Sequence, residues 1–251
     1  MTPTYGQLRE VTAFASVVLA ENPGVMTLEG TNTWLLRAPG AESCVVVDPG
    51  PLDRAHLERV ASFGPVDAVL LTHGHPDHSE GAAEFGRLVG APVRAGNPAL
   101  GTEGLAGGDV VVGGGLEIRV VATPGHTDDS MSLLVEDAVL TGDTILGRGT
   151  TVLDGKLRDY LESLKVLADL PPGTVVLPGH GPELPDVGTV ARAYLAHREE
   201  RLAQVRAAVE RLGGEPTARQ VVEVVYADVD RSLWAAAEWS VNAQLEYLRD
   251  A

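Results

Sequence analysis

The sequence predicts a layered α/β or α+β fold, and two patterns support this. Short apolar, β-branched runs closed by Gly or Pro recur, as in VTAFASVVLA, NTWLLRA, SCVVVDPG, VDAVLLTHGH, LEIRVVATPGH, AVLTGDT and GTVVLPGH. Runs of this kind are typical of strands. Segments with helical apolar spacing lie between them, and helical patterns dominate the chain after residue 187. Strands and helices mixed along one chain indicate sheets that are covered by helices.

Helices are predicted over DRAHLERVASF (53–63) and SEGAAEFGRLVG (79–90). The segment LRDYLESLKVLADL places five leucines on one helical stripe: Leu157, Leu161, Leu164, Leu167 and Leu170. From residue 187, VGTVARAYLAHREERLAQVRAAVERLGG predicts one long helix that ends at a double glycine. Thr217 is a plausible N-cap for the short helices that follow.

Composition limits the classes of function. The 251 residues suffice for one large domain with a small appendage. The 35 Asp and Glu against 19 Lys and Arg give a net charge of −16, which repels polyanions and leaves no basic nucleic-acid footprint. The single cysteine, Cys44, reads as a buried strand residue, so neither a disulfide within the chain nor a cysteine-based zinc site is expected.

No membrane association is expected from the hydropathy pattern. No apolar run approaches the length of a membrane span. The N-terminal VTAFASVVLAENPG lacks a signal-peptide pattern, because the only upstream cation, Arg9, is followed by Glu10 and no A-x-A site follows. We therefore expect a cytoplasmic protein.

The stretch LTHGHPDHSEG concentrates potential metal ligands. It holds three of the seven histidines of the chain and an aspartate, all between residues 73 and 78. On an extended segment that leaves a strand, His73 and His75 project to the same side and can bind one ion. Asp77 and His78 are adjacent where the next helix begins, so they would point differently and can hold a second ion.

Four apolar strands run into a turn that carries a histidine or an aspartate, and these turns place His73, His126, Asp143 and His180. Ligand sites in sheet proteins gather beyond strand ends, so the polar groups are expected to meet. One Pro-Gly-His turn alone would be ordinary; four such strand ends together indicate a metal site. Imidazole and carboxylate without thiolate suit zinc, with iron or manganese possible, and a shared aspartate is a natural bridge.

These motifs carry a family resemblance. THGHPDH, TPGHT, TGDT and LPGHG match, in order and spacing, the metallo-β-lactamase-fold hydrolases. ENPGVMTLEGTNTWLL, TPGHTDDSMSLL, GDTILGRGTTV and YLAHRE resemble the beta-lactamase-like protein 2 group, from about residue 20 to the C-terminus. The resemblance implies an αββα sandwich with a small winged-helix-like C-terminal domain. It also implies His73, His75 and His126 on one zinc, Asp77, His78 and His180 on another, and Asp143 bridging.

The expected domains are a catalytic domain over 1–188 and a helical C-terminal cap over 189–251. The β wing is expected to be short or absent, because the chain stops after LEYLRDA. Five apolar residues are predicted to pack this cap against the main domain, where it would overhang the metals: Leu233, Trp234, Trp239, Leu245 and Leu248.

The leading hypothesis is a dinuclear zinc-dependent hydrolase with a metal-bridging hydroxide, in which Asp143 bridges the metals and Asp77 orients the nucleophile. The resemblance implies single-stranded RNA as first substrate, with a small-molecule thioester as the alternative. Against a glyoxalase II role, Lys156 and Lys165 are the only lysines, so no C-terminal lysine pair can hold carboxylates.

A rival hypothesis is a non-catalytic, metal-dependent DNA-binding regulator that uses the C-terminal helices. Residues 201–251 carry six Arg against eight Asp and Glu, a net charge of −2, and show no basic recognition helix. Duplex DNA is therefore not an expected partner. The oligomeric state stays open.

Several further residues have two interpretations each. Asp48, Thr72, Asp128 and Asp129 are either hydrogen-bond partners of the ligands or solvated turn residues. Asn22 and the GTNT run resemble group motifs but also suit ordinary turns. Arg148 would clamp an anionic substrate or lie on the surface, and His56 and His197 are expected to be structural or exposed.

Overall fold

The computed structural model describes residues 4–250 and contains two β-sheets that pack face to face. The first sheet has seven strands that neighbour one another in sequence order. Its strands are β1 (Leu8–Glu10), β2 (Ala15–Leu19), β3 (Asn32–Leu36), β4 (Cys44–Val47), β5 (Val66–Leu70), β6 (Val93–Ala95) and β7 (Glu103–Gly104). The first four strands pair antiparallel, and β4 to β7 pair parallel.

The second sheet has five strands in the order β12-β11-β10-β9-β8. They are β8 (Val110–Gly113), β9 (Leu116–Ala122), β10 (Met131–Val135), β11 (Ala138–Gly142) and β12 (Val175–Pro178). β10 pairs antiparallel with both β9 and β11, and β12 pairs parallel with β11. Consequently β9, β11 and β12 all run in one direction and end at the same edge of the sheet.

Residues 4–250 form seven α-helices. They are α1 (Arg54–Ala61), α2 (Pro76–Ser79), α3 (Ala82–Val89), α4 (Leu157–Ala168), α5 (Val187–Leu212), α6 (Ala218–Val225) and α7 (Trp234–Arg249), with a 3₁₀ turn at Arg231–Leu233. The ends predicted from the sequence are confirmed: α5 stops before Gly213 at φ +70°, and Thr217 forms a capping box with Gln220 on α6. No helix within residues 4–250 is long and apolar enough to cross a membrane.

Three apolar clusters give the molecule four layers. One lies between the sheets and includes Trp34, Ile118 and Leu133. The second fills the space between the first sheet and α1 and α3, where Phe85 is fully buried. The third covers the other face of the second sheet with α4 and α5. The order helix, sheet, sheet, helix confirms the predicted α/β (α+β) sandwich, and burial on both faces explains why its central strands are continuous apolar runs.

The leucine stripe of α4 behaves as predicted. Leu157, Leu164 and Leu167 are buried in the third cluster, and Leu161 and Leu170 pack at its margin. The first half of α5 belongs to the same cluster through Val187, Ala191 and Tyr194, so this helix starts as part of the sandwich and ends outside it.

The C-terminal helices form a cluster of their own, which corrects one expectation. Trp234, Leu245 and Leu248 pack with residues of α5 and α6 rather than against the main domain. Leu233 and Trp239 are not buried in either cluster, because they are 38% and 55% exposed. Ala243 and Tyr247 of α7 make the contact with α4 and α5 instead. A sequence pattern identifies the apolar residues of a helix but not which neighbour covers them.

Candidate metal centre

All seven predicted ligands lie together where strands of both sheets end. β5 leads into His73 and His75, and α2 follows at once with Asp77 and His78. The second sheet adds His126 after β9, Asp143 after β11 and His180 after β12. The two sheets are tied at this edge, because Thr31 and His180 form a β-bridge and the Met131 amide donates to the Thr72 carbonyl.

The first group consists of His73, His75 and His126. The Nδ1 atom of His75 is 3.0 Å from the Nε2 atoms of both His73 and His126. His126 Nδ1 lies 2.7 Å from the Val152 carbonyl, which can only accept, so Nδ1 carries the hydrogen and Nε2 keeps its lone pair. His75 has at most one hydrogen on Nδ1, which cannot serve both facing nitrogens well. A cation satisfies all three.

His73 is oriented by the same logic. The Thr72 hydroxyl donates to Asp48 Oδ2 at 2.6 Å, since a carboxylate only accepts. That hydroxyl therefore accepts from His73 Nδ1, 3.1 Å away, and the lone pair of His73 Nε2 faces the group.

The second group consists of Asp77, His78 and His180. His78 Nδ1 donates to Asp48 Oδ2 at 2.9 Å, and His180 Nδ1 donates to the Gly30 carbonyl at 3.0 Å. Their Nε2 atoms are 3.2 Å apart and lie 3.3 and 3.1 Å from Asp77 Oδ2. In the neutral imidazoles all three facing atoms are acceptors, and a cation between them satisfies this arrangement.

Asp143 lies between the two groups and is 8% exposed. Its Oδ1 is 3.4 Å from His78 Nε2, and its Oδ2 is 3.3 Å from His180 Nε2 and 3.8 Å from His126 Nε2. Within residues 4–250, Oδ1 is buried and has no hydrogen-bond partner. An unpartnered buried carboxylate oxygen is costly, and a metal ion removes that cost.

The electrostatics of the site favour positive charge between the groups. Burial alone would lower the pKa of His180, but Asp143 and Asp77 outweigh it and raise this pKa to about 9. The pKa of His78 is also raised despite burial, by Asp143 and Asp48. Burial opposes ionisation of Asp77 and Asp143 as well, yet His180 and His78 hold both carboxyl pKa values well below the usual range.

Two histidines of the first group, His73 and His126, behave differently. Burial lowers the pKa of His73 and of His126, and neighbouring histidines lower both further. They therefore stay neutral, which is the form that binds a metal ion.

Asp48 stabilises the site through three hydrogen bonds that its side chain accepts. Its carboxylate accepts from the Thr72 amide at 2.8 Å, from the Thr72 hydroxyl and from His78 Nδ1. Its backbone has a φ of +51°, which is costly for a residue other than glycine and marks a constrained position. The sequence left Asp48 and Thr72 open between two interpretations, and in the structure they are hydrogen-bond partners of His78 and His73, two of the predicted ligands.

The other residues with two interpretations separate clearly. Asp129 accepts from the Gly74 amide at 3.4 Å and so braces the turn between His73 and His75, whereas Asp128 is exposed. Arg148 is on the surface, paired with Glu29 at 2.7 Å. His56 is buried and structural, with its Nε2 2.9 Å from the Thr33 hydroxyl. His197 is half-buried on α5.

Sequence reasoning missed the contribution of two glycines. Gly142 precedes Asp143 at φ +49°, and a Cβ there would lie 2.5 Å from Thr72 Oγ1. Gly179 precedes His180, and a Cβ there would overlap Asp143 Oδ1. A glycine directly before a ligand, repeated at these strand ends, is the signal that would have identified them.

Sequence reasoning also missed Thr151, whose hydroxyl is 2.9 Å from His126 Nδ1, because it lies 25 residues away in an irregular segment. Only two of the seven predicted ligand side chains are appreciably exposed to solvent. The side chains of His75 and Asp77 are 32% and 26% exposed, whereas that of Asp143 is 10% exposed and those of His73, His78, His126 and His180 are buried. A substrate must approach from the side of His75 and Asp77.

The sequence is similar to known proteins over most of its length. Residues 26–180 match the Metallo-beta-lactamase superfamily, and residues 217–250 match the Beta-lactamase associated winged helix domain. The Beta-lactamase-like protein 2 homolog of Drosophila melanogaster is 34% identical over 92% of this chain and 86% of that protein. The Atrochrysone carboxyl ACP thioesterase of Aspergillus fumigatus is 32% identical over 83% of this chain and 72% of that protein.

The fold is similar to a solved structure as well. A beta-lactamase domain protein from Burkholderia ambifaria superposes with a TM-score of 0.83 at 24% identity, over 99% of this chain and 89% of that one. Three observations agree on the same family: the αββα layers, the histidines and aspartates at the strand ends, and the two matched regions. The chain belongs to the metallo-β-lactamase superfamily of metal-dependent hydrolases.

Proposed function

We propose that the protein is a dinuclear metallohydrolase that cleaves acyl thioesters. One observation carries the dinuclear part: two groups of lone-pair atoms, each too closely spaced to be satisfied by the hydrogens available, lie on either side of Asp143. His73, His75 and His126 would hold one ion, Asp77, His78 and His180 the other, and Asp143 both.

Zinc fits this donor set of imidazole nitrogens and carboxylate oxygens, and iron or manganese fit it too. Asp48, His73 and His78 form a third set of closely spaced ligand atoms. We interpret Asp48 in this set as a hydrogen-bond partner that orients the proposed ligands, and not as a ligand of a further metal ion. The Asp48 carboxylate already accepts three hydrogen bonds, and the Nδ1 atoms that face it carry hydrogens.

Two bound divalent ions would lower the pKa of water so that hydroxide is available near neutral pH, and would neutralise charge on the substrate oxygen. The protein supplies orientation. Hydrogen bonds from Nδ1 of His73, His78, His126 and His180 fix these rings before substrate arrives. Asp77 is the more accessible of the two carboxylates and would accept a hydrogen bond from the attacking water. All five histidines of the site, His73, His75, His78, His126 and His180, serve as ligands in this proposal.

The charge distribution supports a thioester rather than a polyanion. The net charge is −16, Asp154 lies 3.8 Å from His75, and Arg148 is already neutralised by Glu29. A thioester carbonyl is uncharged, so this field does not repel the reacting group. The similarity to a protein named as a thioesterase points the same way.

Single-stranded RNA phosphodiesters are the second candidate. The sequence motifs resemble the beta-lactamase-like protein 2 group, and that resemblance implies an RNA substrate. The similarity to the Beta-lactamase-like protein 2 homolog also covers more of both chains than the similarity to the thioesterase does. A glyoxalase II-like role is disfavoured because Lys165 is paired with Glu162, which leaves Lys156 as the other lysine of the chain. A DNA-binding regulator is disfavoured by the negative charge of the C-terminal helices.

The test is metal analysis combined with a substrate screen. After loading with Zn²⁺, Fe²⁺ or Mn²⁺, we expect two ions per chain, and faster release of thiol from acyl thioesters than cleavage of RNA oligomers or a simple phosphodiester. Finding at most one ion after loading would reject the dinuclear centre. RNA cleavage without thioester turnover would reverse the order of substrates, and duplex-DNA binding by the metal-free protein would favour the regulator.

A further inference from the structure

Arg198 on α5 is a buried cation without an ion-pair partner. It is 4% exposed, and none of the ion pairs formed among residues 4–250 includes it. Its Nε atom also has no hydrogen-bond partner in that range. Arginine is almost never buried unless it is paired, because removing the charge from water costs free energy. The contacts that this guanidinium does make therefore need an explanation.

The guanidinium reaches the segment that orients His126. Its Nη2 donates to the Thr151 carbonyl, and its Cζ lies 5.2 Å from the centre of the Tyr160 ring. The Thr151 hydroxyl is 2.9 Å from His126 Nδ1, and the next carbonyl, of Val152, accepts from the same nitrogen at 2.7 Å. Arg198 thus holds Thr151, whose hydroxyl lies beside His126 Nδ1 and which directly precedes Val152, the acceptor for that nitrogen.

A second contact from the same face of α5 supports this arrangement. Tyr194 lies one turn before Arg198, and its hydroxyl donates to the Gly149 carbonyl at 2.7 Å and accepts from the Leu146 amide at 3.2 Å. The segment 146–153 follows Asp143 and contains no helix or strand of its own. Its position therefore depends on what packs against it, and α5 holds it at two points.

We propose that Arg198 is a positioning residue. Through it, the C-terminal helical segment controls how His126 directs its Nε2 lone pair towards the metal ion that His126 would share with His73 and His75. The inference rests on the proposed function, since it requires that His73, His75 and His126 bind a metal ion. Partners of ligand histidines typically change metal affinity about 10–100-fold when they are lost.

The experiment isolates each group of ligands and then removes the guanidinium. In a His180→Ala background the first group remains intact, and in a His126→Ala background the second group does. Arg198→Met is introduced into each, and the dissociation constant for Co²⁺ is measured by visible absorption with a competing chelator. Arg192→Met is the matched control, because Arg192 also lies on α5 and donates to a backbone carbonyl, that of Ala168, at 3.1 Å.

We expect Arg198→Met to weaken Co²⁺ binding by about tenfold in the His180→Ala background and to leave it unchanged in the His126→Ala background. Arg192→Met should change neither. Equal affinities with and without Arg198 in the first background would overturn the inference, and so would equal losses in both backgrounds, which would indicate general destabilisation. Failure of the unaltered chain to bind two ions would instead reject the proposed function.

A second measurement covers the case in which Arg198→Met does not fold. Arg198→Lys keeps a donor for the Thr151 carbonyl but loses the planar guanidinium. In that variant the Nδ1 hydrogen of His126, followed by NMR on protein with ¹⁵N-labelled histidine, should exchange with solvent faster than in Arg192→Met. Identical exchange in the two variants would overturn the inference.

Discussion

At the scale of single residues, the site depends on carboxylates and hydroxyls whose hydrogen-bond roles are forced. Asp143 presents Oδ1 to His78 and Oδ2 to His180. Thr31 is equally constrained. Its amide donates to Asn22 Oδ1 at 2.9 Å, so the other Asn22 atom is an NH₂ group, which donates to the Thr31 hydroxyl at 2.9 Å. The hydroxyl hydrogen is thereby left for Asp77 Oδ2, 3.4 Å away.

The first prediction concerns Asp143→Asn. A neutral amide bridges two cations poorly, so turnover should fall by more than the roughly 10–100-fold typical for loss of an outer partner, while thermal stability changes little. Kinetics on an established substrate, metal content and thermal melting measure this. Asp137→Asn, at the exposed turn before β11, is the control. Activity close to that of the unaltered protein would contradict the assigned role.

The second prediction concerns Thr31, which is fully buried. Thr31→Val keeps the shape but removes the hydrogen bond to Asp77 and leaves the Asn22 NH₂ without its acceptor, at a cost of about 1–3 kcal/mol in stability. Metal binding by the group of Asp77, His78 and His180 should weaken by about tenfold. Thr31→Ser keeps the hydroxyl and should restore both properties. Equal metal affinity for the Val and Ser variants would show that the hydroxyl has no such role.

At the scale of elements, α5 joins the sandwich to the C-terminal helices, and its N-terminus is fixed by Asp186. The carboxylate accepts from the Thr189 amide and from the Gly173 amide, each at 2.7 Å. Hydrogen bonds to these two groups lower the pKa of Asp186 from 3.8 to about 2. The ionised carboxylate therefore stabilises the fold, since folding favours its charged form.

The third prediction is a pH-dependent effect of Asp186→Ala. Because the pKa is lowered on folding, the stabilisation is fully present above about pH 4 and is lost as the pH falls towards 2. Denaturant titrations should show a lower free energy of unfolding for Asp186→Ala at pH 6, and the difference should shrink below pH 4. Asp169→Ala provides the control, since the Asp169 carboxylate accepts no hydrogen bond from residues 4–250. A difference that is constant with pH would contradict the capping role.

At the scale of the whole molecule, the division into a sandwich and a C-terminal segment does not coincide with a division of the core. Ala191 and Tyr194 belong to the cluster that covers the second sheet, whereas Val205 and Ala208, further along α5, belong to the cluster of the C-terminal helices. The predicted boundary at residue 188 therefore cuts through a helix whose first half supports the sandwich.

The fourth prediction compares two truncations. Removing 189–251 should prevent stable folding, because it uncovers the third apolar cluster and releases segment 146–153. Removing 213–251 keeps α5 with Tyr194 and Arg198, so the remaining chain should still bind metal while its KM or substrate range changes. Circular dichroism, thermal melting, metal analysis and kinetics distinguish the two. A folded, metal-binding 1–188 fragment with unchanged kinetics would show that α5 is dispensable.

The sequence alone predicted the layered fold, which is confirmed, and it predicted seven metal ligands, which the structure brings together. Strand and helix periodicity is a local property of the chain, so the runs leading to His73, His126, Asp143 and His180 were recognisable. Convergence of these residues followed because parallel strands end at one edge. The helix ends at Gly213 and Thr217 were also local signals.

Only the tertiary structure decided which residues support the ligands and which helices share a core. Thr151 contacts His126 from 25 residues away, Arg198 contacts Thr151 from 47 residues away, and Thr31 contacts Asp77 across 46 residues, so no spacing rule identifies them. Similarly, Trp239 is as apolar as Trp234, yet one is 55% exposed and the other 7%. Periodicity states which residues are apolar, whereas burial depends on the neighbouring element, which is fixed by packing of the whole chain.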